Sequence, residues 1–143
     1  MKKFNVVLLL GSNIDPKQNI EKAIVLLKRE LEFLKVSNKY QSKAVGSAAP
    51  DFINVALLVN TSVSKEVLKE TILKPIENKL GRLRTEDKNS PRTIDIDIVF
   101  YDNELLDKQI YHYPHIAVPV SELLPQFKGI GEALNQFNEV WLV

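Results

Sequence analysis

Asp95 and Asp97 are the residues with the most chemical potential in this chain, two apart in the run Thr93-Ile94-Asp95-Ile96-Asp97-Ile98. On a strand both carboxylates would leave the same face, about 7 Å apart. Two carboxylates so placed can share one Mg²⁺ or hold two that bridge a polyphosphate. Arg82, Arg84 and Arg92 flank a charged segment that leads straight into the pair. Guanidinium forks grip phosphate oxygens bidentately. Carboxylates for metal beside arginines for phosphate are the components of phosphoryl transfer, which is mostly positioning and charge neutralisation. The structural alternative makes the aspartates the wet face of a half-buried strand, with the arginines paired to them and to Glu86 and Asp87. His115, in Tyr113-Pro114-His115, could donate to a phosphate or a nucleotide, although a lone histidine is more often structural. Phe52 and Asn54 share one side of a strand. Such a ring can stack on a planar heterocycle and such an amide can pair with its edge, while Phe52 also suits a core. Gly11-Ser12-Asn13 lacks the lysine and glycine spacing of a P-loop.

The elements that must position these residues follow from periodicity. Phe4 to Leu10 is apolar and partly β-branched, and Gly11-Ser12-Asn13 ends it, which predicts a strand. Asp15 and Pro16 then read as N-cap and first helical residue, and Ile20, Ala23, Ile24, Leu27 and Leu31 form one helical stripe. A polar strand is expected over 34–43, a small-residue loop over 44–51, and an apolar strand from Phe52 to Asn60. Ser64 caps a second helix that buries Val67, Leu68, Ile72, Ile76 and Leu80, with Pro75 as a local defect. The charged segment 82–92 reads as a mobile loop, and Thr93 to Tyr101 as a strand. Beyond it the pattern is irregular, with short helical turns expected at 121–124 and near 130–137, and an apolar end around Trp141 that packs on the domain. The order strand, helix, strand, strand, helix, strand predicts an α+β, ferredoxin-like fold: a four-stranded antiparallel sheet with two main helices on one face.

Bulk properties narrow the function classes. The 143 residues suit one domain spanning 1–143, and 45% apolar with 26% charged residues allows a real core. A net charge of +1, from 19 basic and 18 acidic residues, supplies no global field for nucleic acid or an anionic membrane. With no cysteine, disulfides and thiolate metal sites are excluded. The apolar run after Lys2 and Lys3 is shorter than a secretory signal needs and reads as a buried first strand. A cytoplasmic protein is expected.

The chain resembles the 6-hydroxymethyl-7,8-dihydropterin pyrophosphokinase family. The resemblance is carried by Leu10-Gly11-Ser12-Asn13, by Asp51-Phe52-Ile53-Asn54, and above all by Gly81-Arg82-Leu83-Arg84 with Ser90-Pro91-Arg92-Thr93-Ile94-Asp95-Ile96-Asp97-Ile98. It implies a ferredoxin-like fold and transfer of the β,γ-diphosphate of ATP to the pterin hydroxymethyl group, with AMP leaving. It further implies that Asp95 and Asp97 hold two Mg²⁺ ions, and that Arg82 and Arg92 act in catalysis with them. Glu77, Arg84, Arg92, Ile98 and His115 fall at ATP-binding positions, and Ser42, Val45, Phe52 and Asn54 at acceptor-binding positions. The implied partners are ATP and a dihydropterin-like molecule, with no nucleic acid, no membrane and a monomeric state. The segment 82–92 would close over the reactants.

The chain departs from the family pattern at several points. Asn89 stands where an aromatic residue is usual, Lys74 where a nucleotide-contacting glutamine is common, and Lys43 where a proline shapes the pterin loop. After Pro114-His115, family members carry a segment with an arginine and a second stacking phenylalanine. Here the chain runs on through Ile116-Ala117-Val118 to Pro119, leaving Tyr111, Tyr113 and Phe127 as candidate replacements for that ring. Two rivals follow: a divergent paralogue that binds ATP or a pterin with another acceptor or no turnover, and an RNA-binding ferredoxin-like module. Against the second, Asp95 and Asp97 would repel a phosphate backbone.

Overall fold

The first strand is apolar at nearly every position, and its neighbours explain why. In β1 (Phe4–Ser12), Val6, Leu8 and Leu10 enter one buried cluster while Val7 and Leu9 enter another. A strand buried on both faces belongs inside a sheet. A computed structural model describes residues 2–43, 50–82 and 93–143, and in it β1 lies between two antiparallel partners. These are β4 (Phe52–Thr61) and β5 (Asp95–Tyr101).

Among the described residues the antiparallel sheet has seven strands, in the order β6-β5-β1-β4-β3-β7 with β2 also paired to β4. The α+β class stands, and the expected count of four is corrected. The polar stretch expected as one strand divides into β2 (Glu32–Val36) and β3 (Tyr40–Ser42), both on the same edge of β4. Ser37 fills the break: its backbone N–H donates to Ala56 O at 2.9 Å and its Oγ accepts from Ala56 N at 2.8 Å. A hydroxyl thus replaces a missing ladder carbonyl. Asp102, at φ 57°, turns the chain into the short β6 (Glu104–Leu105). At the other end, β7 (Val140–Leu142) adds to the free edge of β3.

One face of the sheet carries α1 (Pro16–Glu30), whose Ile20, Ala23 and Leu27 are buried with Val55, Leu57 and Val59 of β4. Asp15 sits at its N-cap in the left-handed region, but its side chain makes no capping bond. The second helical unit also covers this face, running as α2 (Lys65–Val67), a π-helical stretch Leu68–Leu73 and α3 (Lys74–Lys79). The defect expected at Pro75 takes the form of that π stretch. Pro75 has no N–H to give and its ring crowds the preceding turn, so the widened turn absorbs the mismatch.

The opposite face carries α4 (Pro114–Ser121) and α5 (Lys128–Leu134), which cover Val7, Leu9, Ala56 and Val99. Periodicity predicted helical turns at 121–124 and 130–137, and α4 instead begins at Pro114. Pro114, Pro119 and the β-branched Ile116, Val118 and Val120 lower intrinsic helix preference, and burial against the sheet overrides them. Glu122 fastens the end of α4: its carboxylate accepts from Asn38 N at 3.0 Å and from Tyr40 OH. Burial and the Glu122 carboxylate push the Tyr40 phenol up to about 12. No helix among the described residues is long and apolar enough to cross a membrane.

Ser37 makes the sheet continuous at its break, so Ser37→Ala should lower unfolding free energy by about 1–3 kcal/mol, the cost of stranding a buried N–H. Urea denaturation measures this, and an unchanged midpoint would contradict the role given to the hydroxyl.

Candidate active site

Three strands bring the candidate residues to one rung. Gly11 of β1 pairs with Asn54 on one side and with Asp95 on the other, and Asn54 pairs in turn with Tyr40. With strands about 4.8 Å apart, Asn54 and Asp95 lie about 10 Å from one another across the glycine. A Cβ at Gly11 would lie 3.4 Å from Asn54 Oδ1 and 3.5 Å from Phe52 Cδ1. Glycine therefore keeps the floor between Asn54 and Asp95 bare. Asn54 is buried and donates through Nδ2 to Ser42 Oγ at 2.8 Å and Tyr40 O at 3.3 Å, and Ser42 pairs with Phe52.

A bulge in β5 keeps the acids facing this floor. The register against β1 shifts between Val7 and Leu8, leaving Val99 as the extra residue. Ile96 and Ile98 pack with the α1 side, whereas Val99 and Phe100 both join the α4 side. Alternation then puts Asp95 and Asp97 on the α4 side as well.

The end of α3 meets the start of β5 through an ion network. Gly81, at φ 84°, closes a Schellman turn in which Gly81 N donates to Asn78 O at 3.0 Å and Arg82 N to Glu77 O at 3.1 Å. The turn returns Arg82 onto Glu77, whose Oε2 accepts from Arg82 Nη1 at 2.5 Å and from Ile96 N at 2.9 Å. Arg82 Nη1 also donates to Asp95 Oδ1 at 2.8 Å. Side-chain exposures of 15%, 4% and 18% for Arg82, Glu77 and Asp95 make this a desolvated triad. Among the described residues Arg82 Nε is buried and meets no acceptor.

The electrostatics favour a cation. The Asp97 carboxyl is pushed up to about 8 by the protein packed around it, by the charges of Asp95 and Asp107, by a hydrogen bond with Asp95 and by the charge of Glu77. Asp97 also keeps an exposed surface. His115 is lowered by burial, against the pull of Asp107 and Asp95, which favours a neutral imidazole. No group of three or more acids or histidines among the described residues forms a metal cage. Mg²⁺ fits such a donor set, because it keeps much of its water and is commonly held by one or two carboxylates plus phosphate oxygens.

The structure therefore brings together Ser42, Phe52, Asn54, Arg82, Asp95, Asp97 and His115 of the predicted residues. Glu77 is 3% exposed and engaged by Arg82 and Ile96, so it supports the site from behind. Ile98 lines a cavity of about 370 Å³ at the outer edge of β5, with Asp97, Lys65, Lys69 and Asp107. Val45, Arg84 and Arg92 lie outside the described residues, as does Asn89. Of the rings considered as replacements, Phe127 is buried against Phe100, Tyr111 leans on Phe127, and Tyr113 stands 5.4 Å from the His115 ring. Asp107 was missed, since a single acid after β6 carries no local signature and reaches the site only through the β5–β6 hairpin.

Comparisons with known proteins place the chain in a family. The family model for 7,8-dihydro-6-hydroxymethylpterin-pyrophosphokinase matches residues 7–125. A protein of Synechocystis sp. named 2-amino-4-hydroxy-6-hydroxymethyldihydropteridine pyrophosphokinase is 36% identical over 82% of this chain and 65% of its own length. One of the same name from Aquifex aeolicus is 39% identical over 77% of this chain and 69% of its own. The chain thus spans about two thirds of these relatives. Plasmodium falciparum HPPK-DHPS superposes with a TM-score of 0.56 at 16% identity, over 99% of this chain and 35% of that one, a likeness of fold alone. The acid pair on β5, the Arg82–Glu77 network and a family match running through all of them lead to one conclusion: the chain belongs to the 7,8-dihydro-6-hydroxymethylpterin-pyrophosphokinase family.

Proposed function

We propose that the protein transfers the β,γ-diphosphate of ATP to the hydroxymethyl group of 6-hydroxymethyl-7,8-dihydropterin, yielding AMP and the pterin diphosphate used in folate biosynthesis. The observation that carries the reading is the crowded acid pair Asp95 and Asp97 beside the Arg82–Glu77 network, on the same sheet face as Asn54 and Phe52. Asp95 and Asp97 would hold the metal, with two Mg²⁺ ions bound together with ATP. Bound there, Mg²⁺ neutralises phosphate charge and aligns the reacting oxygens. Arg82, joined by Arg84 and Arg92, grips the phosphates. Asn54 reads the edge of the acceptor heterocycle and Phe52 its face, with Ser42 and Val45 beside them. The separation of about 10 Å between Asn54 and Asp95 suits a bicyclic ring whose hydroxymethyl arm points at the β-phosphorus. The nucleotide lies toward Ile98 and the cavity at the edge of β5. Neutral His115 donates one hydrogen bond to a phosphate or to the nucleotide.

The same reading makes residues 1–143 one functional unit, monomeric and cytoplasmic, built on a ferredoxin-like order of β5, β1, β4 and the β2–β3 pair. An RNA-binding role is disfavoured, because both sheet faces carry buried clusters and such modules use an open aromatic face. A paralogue without turnover would have no use for both aspartates.

Purified protein with Mg²⁺ and ATP should release AMP only when the pterin is added. Asp97→Asn should lower kcat by about 100-fold or more with an unchanged far-ultraviolet circular dichroism spectrum, as expected for lost transition-state charge stabilisation. Pterin-independent AMP release, or an Asp97→Asn enzyme of normal rate, would overturn the assignment.

A pH dependence follows for the metal-free protein. Folding pushes the Asp97 carboxyl up from near 3.9 toward about 8, so within that window the folded state holds the additional proton. Stability should therefore fall as pH rises through that window, and less steeply in Asp97→Asn. Thermal unfolding in chelator at stepped pH measures this, and parallel curves for the two proteins would contradict it.

A further inference from the structure

Phe137 is 79% exposed, so its ring contributes little to folding. The turn that carries it is nevertheless pinned at several points. Asn135 Nδ2 donates to Val140 O at 2.9 Å and Val140 N donates to Asn135 Oδ1 at 2.9 Å, which clamps the turn between α5 and β7. Asn138 completes the turn at φ 54°, with its N–H donated to Asn135 O at 3.0 Å. Pairing of Ser42 with Val140 and Gln41 with Trp141 then locks the turn to β3.

The exposed ring rims a cavity of about 440 Å³ lined also by Ser42, Tyr113, His115 and Trp141. That volume lies within the range of small-molecule sites. Ser42 pairs with Phe52 and accepts from Asn54, so the cavity opens beside those two residues. Its other charged residues, Lys43 and Glu139, are of opposite sign, which suits an uncharged ligand. A flat nitrogen heterocycle matches this surround: aromatic rings for its faces and the Ser42 hydroxyl for its edge.

We propose that Phe137 contacts the acceptor, its ring lying over the planar heterocycle in the cavity between Ser42 and His115. The proposal rests on the function given above and assigns the C-terminal turn a part in acceptor specificity. Binding would bury the exposed ring, adding apolar area and ring stacking that the free protein lacks.

Calorimetric titration of 6-hydroxymethyl-7,8-dihydropterin into protein carrying Mg²⁺ and a non-hydrolysable ATP analogue tests this, with wild type, Phe137→Ala and Phe137→Tyr compared. Trp141 is the chain's sole tryptophan and lines the same cavity, so its emission gives an independent reading. Phe137→Ala should weaken acceptor binding about two- to tenfold, the size expected for a lost stack. Phe137→Tyr should restore it, and both variants should keep the wild-type thermal midpoint and affinity for the ATP analogue. Wild-type affinity in Phe137→Ala would overturn the proposal alone. So would a loss of pterin and nucleotide binding together with a lowered midpoint, which marks a structural role. No pterin binding by wild type would overturn the substrate reading, and this proposal with it.

Discussion

The buried carboxylate of Glu77 is the constraint on which the site depends. A charge that deep in the protein is tolerated only when its oxygens are matched by donors. Ile96 N–H and Arg82 Nη1 supply them, one from the start of β5 and one from the turn that ends α3. Satisfying Glu77 therefore fixes the helix end to the strand, brings Arg82 onto Asp95, and holds Arg82 near the residues that follow position 92. The Schellman turn at Gly81 serves the same end, because it uses Glu77 O as well.

From that constraint a local crowding of acids follows. Asp95, Asp107 and Glu77 all bear on Asp97, Arg82 pairs with Glu77 and Asp95 among the described residues, and His115 is held toward its neutral form. Among the described residues the crowding bears most on Asp97, which reaches solvent. A near-zero net charge for the chain conceals this, since global balance says nothing about how a fold distributes its charges. A divalent cation would relieve such crowding more completely than proton uptake, and in the proposed reaction it would join the acids to the phosphates.

What could be read from the sequence was local. The alternation around Asp95 and Asp97, the stripe of α1 and the Phe52–Asn54 pairing of side are periodic signals, and the structure contains each. The class of fold was legible for the same reason. The seven-stranded sheet was not, because β6 and β7 are short strands that exist only through the edges they join, and Ser37 splits a strand that looks continuous in sequence. Helix α4 was hidden by its prolines and β-branched residues, whose preferences are overruled by burial against Val7 and Leu9. Within the site, Gly11 was visible as a turn residue, while its role as bare floor between Asn54 and Asp95 depends on a three-strand register that no local pattern encodes. Glu77 was legible as a site residue, and its place behind Arg82 emerged only from the ion network.

The most direct test of the account is the position of the metal. Crystals grown with a non-hydrolysable ATP analogue and Mn²⁺ in place of Mg²⁺ would reveal the ion by anomalous scattering. The account predicts metal density in contact with the carboxylates of both Asp95 and Asp97, with the triphosphate reaching Arg82. Metal density elsewhere, or a nucleotide bound with these two carboxylates uninvolved, would contradict it.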